Sequence, residues 1–303
     1  MAKFMRGLKA YQQSAEAGNS GQMKASALEM FAAAAEEAEK NPTPQLTLKL
    51  EAGNCERRGD WQGAEACYRK VLALEESTGN HGAISKAHYD LSNLFLLLGD
   101  LEKADACARR ATAIAHHSGA FPLLVMTLEQ QTSCALARSD FAAALEAASE
   151  AVAVIEPGRV FDKLQAGAWV ARARCHMACG DWPSGESDLA ASQPILFGSD
   201  ISPIFAGLHG RAARWWEVTA ISRTHNGDLQ GACQGWSEAV RIRRHVSGLC
   251  HVAGPYTMAA LARTLKGSSD ALELAGKRDE ATAAMTEANG IWCELGVREQ
   301  PWR

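Results

Sequence analysis

One short pattern constrains this chain more than any other feature. A tight turn recurs as Arg58-Gly-Asp-Trp61, Leu98-Gly-Asp-Leu101, Arg138-Ser-Asp-Phe141, Cys179-Gly-Asp-Trp182 and Asn226-Gly-Asp-Leu229, with a weaker sixth copy at Gly276-Lys-Arg-Asp-Glu-Ala281. A small residue follows each turn: Ala64, Ala104, Ala144, Gly185, Ala232 and Ala281, spaced by 40, 40, 41, 47 and 49 residues. A fixed period of this length is the signature of a stacked-repeat architecture. Glycine just past a helix end adopts the left-handed conformation that closes the last turn. The aspartate then caps the next helix and complements its dipole. Each unit therefore reads as a helix A of about 13 residues, a turn, and a helix B of about 18, with the surplus over a shorter repeat placed at the end of helix B. The chain's 56 alanines among 303 residues suit helices that approach closely through small side chains.

Composition removes several classes of function. The formal net charge is −4, and Arg241-Ile-Arg-Arg244, the densest basic cluster, covers one helical turn and reads as a solvated face. Neither half of the chain carries the basic field of a nucleic-acid binder: 16 basic face 20 acidic residues up to and including residue 159, and 15 face 15 after it. The strongly apolar run Leu94 to Leu98 is far too short to span a membrane. The opening MAKFMRGLKAYQQ has no long apolar core, so no secretory signal is expected. Nine cysteines without CxxC spacing point to a reducing, cytoplasmic setting. Cys175 and Cys179 share a helix face beside His176, but a structural zinc would need four ligands, so packing cysteines and no metal are expected. No phosphate loop, GxSxG elbow, HExxH or glycine fingerprint is present, and His88, His176 and His209 stand isolated on helices. No catalytic role and no cofactor are expected.

The repeat resembles the tetratricopeptide repeat, and the resemblance covers nearly the whole chain. With the turn aspartate numbered 16, the family's small position 8 reads Ala52, Ser92, Thr132, Ala173, Ala220 and Ser269, and position 27 reads Val71, Ala111, Ala151, Ser192, Ala239 and Ala288. Tyr89-Asp-Leu-Ser-Asn-Leu-Phe95 followed by Leu-Leu-Leu-Gly-Asp is very close to the family consensus, and Trp169 and Trp216 fall at position 4, as core residues. Units of about 40 residues are longer than the commonest member. Repeats of similar length occur in kinesin light chains, bacterial peptide-sensing regulators and the sensor arms of MalT-like activators. The resemblance implies an all-α, right-handed α-solenoid of six to seven helix pairs without a β-sheet; HEAT-like packing is the runner-up. The expected organisation is a divergent N-terminal helical hairpin over 1–44, four regular repeats over 45–199, and two longer, degenerate repeats with a C-terminal tail over 200–303. Each repeat is expected to touch only its neighbours, leaving a long curved surface rather than a pocketed globule.

In the family, positions 2, 5, 9 and 12 of helix A face the concave side and hold peptide segments. Carried over, they give Lys86, Tyr89, Asn93 and Leu96 in unit two, and Met126, Glu129, Ser133 and Leu136 in unit three. Unit four supplies Gly167, Val170, Arg174 and Met177, and unit five Arg214, Glu217, Ile221 and Thr224. The resemblance thus implies a protein- or peptide-binding scaffold, with a ligand- or peptide-sensing regulatory module as the alternative, and self-association left open. The clamp by which co-chaperone repeats hold an acidic chaperone C-terminus is not expected. Lys49 fits that pattern, whereas Gly53, Asp90, Met126 and Gln130 do not.

Overall fold

A computed structural model describes residues 42–119, 121–155, 162–197, 206–249 and 254–297. Twelve helices run through them: α1 (Pro44–Arg57), α2 (Trp61–Thr78), α3 (His81–Leu98), α4 (Leu101–Ser118), α5 (Phe121–Ala137), α6 (Phe141–Ala153), α7 (Asp162–Ala178), α8 (Trp182–Phe197), α9 (Ala206–His225), α10 (Leu229–Leu249), α11 (Pro255–Leu274) and α12 (Arg278–Leu295). No strand occurs among the described residues. Odd-numbered helices are helix A and even-numbered ones helix B. Each packs on the next in sequence, and the six pairs form a right-handed α-solenoid. The expected N-terminal hairpin, apart from its last three residues, and the end of the C-terminal tail lie outside the described residues.

The turns close as their residues dictate. Gly59, Gly99, Gly180, Gly227 and Gly276 all have positive φ, and Ser139 takes the same left-handed conformation at φ 58°. Asp60 and Asp228 accept hydrogen bonds from the Gly63 and Gly231 amides at 2.9 Å, and Asp100, Asp140 and Asp181 from the Lys103, Ala143 and Ser184 amides at 3.2 Å. The sixth turn, which has lysine in place of aspartate, lacks a side-chain cap.

The assigned register is the packing register. Residues at positions 8 and 27 are buried in all six units, as are the alanines at position 20. Where position 8 is serine, its hydroxyl reaches across to the carbonyl at position 20: Ser92 donates to Ala104 and Ser269 to Ala281, each at 2.8 Å. A buried hydroxyl thereby satisfies itself at the closest A–B approach. At Gly185 an added Cβ would fall 2.9 Å from the Ala173 carbonyl oxygen, so the absence of a side chain permits that contact.

Two expectations are corrected. The extra length is not confined to helix B: α3, α5, α7, α9 and α11 hold 17–20 residues and begin one to two turns before position 1. The first and last units also meet. Tyr256 on α11 donates its hydroxyl to Glu56 Oε1 on α1 at 2.5 Å, and Tyr68 on α2 donates to the same oxygen at 2.9 Å. Leu97 of α3 joins the core cluster of α11 and α12, with Trp61 and Tyr256 packed against it. The coil is tight enough for α11 to close across its own inner face, so that face is an interior rather than an open groove.

Candidate binding cavity on the inner face

Two adjoining cavities occupy this interior. The inner one, about 200 Å³, is lined by Asn93 and Leu96 of α3, Gln130 and Ser133 of α5, Arg174 of α7, Arg214 and Glu217 of α9, Arg243 of α10, and Tyr256 and Arg263 of α11. The outer one, about 490 Å³, shares Arg174, Glu217, Arg243 and Arg263 with it and adds Ile221, Thr224, Trp236, Lys266 and Asp270. Six helices from five units thus contribute side chains to the inner cavity.

Its electrostatics centre on Glu217. Arg243 donates to Glu217 Oε1 from Nη2 at 2.9 Å and from Nε at 3.1 Å, and the Thr264 hydroxyl donates to the same oxygen at 2.6 Å. Burial pushes the Glu217 carboxyl up, but Arg243, the Thr264 bond and Arg214 outweigh it and hold the group below its ordinary value. A second carboxylate, Glu129 on α5, pairs with Arg211 of α9 at 3.4 Å. The guanidinium groups of Arg174, Arg214, Arg243 and Arg263 thus line the inner cavity together with one carboxylate, Glu217. Burial and then the neighbouring Arg243 charge bring Arg263 down to about 10, with Arg174 and Arg214 adding to the repulsion. Burial also lowers Arg214.

The family positions are distributed unevenly. Asn93, Ser133, Arg174, Arg214 and Glu217 converge on the inner cavity, and Ile221 lines the outer one. Lys86 and Tyr89 are not among the side chains lining either; Lys86 pairs with Asp90 and lies 4.8 Å from the Tyr89 ring centroid. Glu129 is held by Arg211, and the Ser133 hydroxyl donates to the Glu129 carbonyl at 2.9 Å. Val170 is fully buried in the cluster formed with Ala166, Ala173 and Val218, so it packs the α7–α9 core instead of meeting a partner. The basic run at 241–244 also divides. Arg241 pairs with Glu238 and Arg244 with Glu287 at the surface, whereas Arg243 turns into the cavity. Arg263 was legible as position 2 of unit six. Arg211, Arg243 and Tyr256 lie outside the inward positions and carry no such signal.

The remaining polar candidates have structural uses. Burial pushes the Cys175 thiol up to about 12, which keeps it protonated and a poor metal ligand, while Cys179 is exposed. His176 lies 3.3 Å from Asp181, the cap of α8. The side chain of His209 lies outside the described residues. Among the described residues no three metal-ligating side chains cluster, and no helix is long and apolar enough to cross a membrane.

Glu56, where the coil closes, has a testable pH signature. Burial raises its carboxyl above the ordinary 4.5, against the hydrogen bonds from Tyr256 and Tyr68. A carboxyl raised by folding contributes stability that is full below its unfolded value and is lost as pH rises through its folded one. Glu56→Gln stays neutral and keeps the oxygen that both tyrosines use. It is expected to match or exceed the wild type in urea denaturation at pH 7, with any advantage shrinking towards pH 4.5. A variant markedly weaker at pH 7 would show that the ionised form is the one the fold favours.

Residues 45–115 match the tetratricopeptide repeat family. No curated protein sequence matches the chain. Among solved structures, a Rap protein complexed with Competence and Sporulation Factor is similar over 97% of this chain and 98% of its own, at 10% identity and a TM-score of 0.58. The apo form of RapI is similar over 84% of this chain and 99% of its own, at 11% identity and a TM-score of 0.54. At such identities the likeness concerns architecture alone. The chain has the fold of a tetratricopeptide-like, right-handed α-solenoid.

Proposed function

We propose that the protein is a binding scaffold, not an enzyme, and that a segment of a protein or peptide partner enters the outer cavity and is held on the inner face of units two to six. One observation carries this reading: helix-A side chains from successive units converge on adjoining cavities of about 490 and 200 Å³ with a mixed apolar and charged lining. Apolar walls with a few placed polar groups are what a ligand site requires. The inner frame is set by buried small-residue contacts, so a bound segment loses its own freedom while demanding little ordering of the protein. Glu129 and Glu217 beside the arginines favour a partner of mixed charge over a purely acidic one.

A second reading, a ligand-sensing regulatory module, is supported by the contact between first and last units. A ligand inside a closed coil would bias that closure. The full-length likeness in fold to a Rap protein complexed with a factor is consistent with it.

The test is calorimetry or fluorescence anisotropy with a partner recovered by pull-down from the native cell. Asn93→Ala with Arg174→Glu is expected to weaken binding at least tenfold, about 1.4 kcal/mol, with unchanged helicity. Substitutions of Glu102 or Arg109, exposed on α4, should matter little. Full-strength binding by the inner-face variant, with loss in the outer-face ones, would place the working surface on the convex side.

A further inference from the structure

The polar groups around the inner cavity divide into those already used by the fold and those that are not. Gln130 donates to Ser92 at 3.1 Å, Ser133 to the Glu129 carbonyl, Thr264 to Glu217, Tyr256 to Glu56, and Arg243 to Glu217. Three lining side chains stand apart. Arg174, Arg214 and Asn93 make no hydrogen bond or ion pair with any described residue, although Glu129 and Glu217 lie within electrostatic range of Arg214. They come from three different units, on α7, α9 and α3, and meet in one space of about 200 Å³.

Two guanidinium groups without a hydrogen-bonded partner, beside a third and a fourth arginine, are an unfavourable arrangement for a fold to hold. Partly buried cations cost free energy unless they are paired and hydrogen-bonded. Glu217 is already bonded to Arg243 and Glu129 to Arg211, so neither carboxylate gives Arg174 or Arg214 a hydrogen-bonded partner. A positive excess therefore remains around a cavity whose free donors are planar forks and an amide, the groups that match oxyanions bidentately. At roughly 30 Å³ per water in the liquid, the cavity has room for a small polyatomic anion.

We propose that this cavity is a binding site for a compact oxyanion carrying two or more negative charges, held by Arg174, Arg214 and Asn93. The proposal rests on the inner face being the working surface, and it names the chemistry of what enters. The anion is the phosphate portion of a small molecule or a cluster of carboxylates, and both present the same oxygens to the same donors. Until it binds, Arg174 and Arg214 are partly buried without a hydrogen-bonded partner, so their role in the ligand-free protein is destabilising.

The test titrates sodium pyrophosphate and sodium citrate into the full chain by calorimetry, at constant ionic strength with chloride as the control, and follows thermal unfolding with each. Saturable binding of one anion per chain is expected, with a rise in Tm that chloride does not give. Arg174→Gln with Arg214→Gln should weaken that binding at least tenfold, and so should Asn93→Ala to a smaller degree. The ligand-free double variant is expected to melt at or above the wild-type temperature, which arginines with a structural role would not allow. Preference for pyrophosphate assigns a phosphate-bearing ligand, and preference for citrate a carboxylate one. Absence of saturable binding by either anion, equal binding by the double variant, or a double variant that melts lower without ligand would each overturn the proposal. Partner binding measured on the same proteins separates the two readings. A partner that still needs the inner face when neither anion binds removes the oxyanion site alone. Anion binding that depends on the arginines, while the partner ignores them, removes the scaffold reading alone.

Discussion

Replacing Glu217 with alanine is expected to destabilise the protein by about 3–5 kcal/mol, the cost of stripping one member from a buried ion pair. Its carboxylate accepts two hydrogen bonds from Arg243 and one from Thr264, and it offsets Arg214 and Arg263 as well. Alanine would leave Arg243 and Arg214 without that carboxylate, and Glu129 is already paired to Arg211. The loss should depend on pH in a defined direction. Because the Glu217 carboxyl is held below its ordinary 4.5, its contribution is present above that value and disappears as pH falls through the lowered one. Urea denaturation of the wild type and Glu217→Ala at pH 7 and in mild acid checks both points. Equal stability at pH 7 would mean that the arginines are screened by water and that the cavity is wetter than its packing suggests.

The second large effect belongs to the closure of the coil. Tyr256→Ala removes a half-buried aromatic from the α11–α12 cluster together with its hydrogen bond to Glu56, and about 3 kcal/mol is expected, the lower end for an aromatic-to-alanine change. Its location makes the prediction specific. In an open array, damage to the sixth unit would loosen its neighbours and leave the first unit untouched. Here hydrogen-exchange protection should fall together in α11 and in α1 and α2, some 200 residues apart in sequence. Tyr256→Phe, which keeps the ring, separates the hydrogen bond from the packing. Loss of protection confined to α11 and α12 would show that the ends of the solenoid are energetically independent.

The division between sequence and tertiary structure follows from the range of the interactions involved. The sequence by itself determined the repeat, its turns and its register, because these depend on contacts within a few residues or across one helical hairpin. A left-handed residue at Gly59 or Ser139, a cap at Asp60 and a small side chain at Ala104 each act locally, and the same local rules recur in every unit. The resemblance also put Asn93, Arg174, Arg214 and Glu217 on the inward side of helix A, and Arg263, which it did not single out, falls at the matching position of unit six. Val170 followed that count too, yet it is consumed by core packing, since the inward stripe and the core stripe of a helix adjoin. Tertiary structure alone decided the curvature. The rotation between successive units is small, and its sum over six of them sets whether the ends meet. No single turn or helix pattern encodes that sum. It brings Tyr256 to Glu56 and swings Arg243, from a helix-B extension that read as solvated surface, into the same space as Glu217. The cavity, and the excess of positive charge within it, exist because the coil closes.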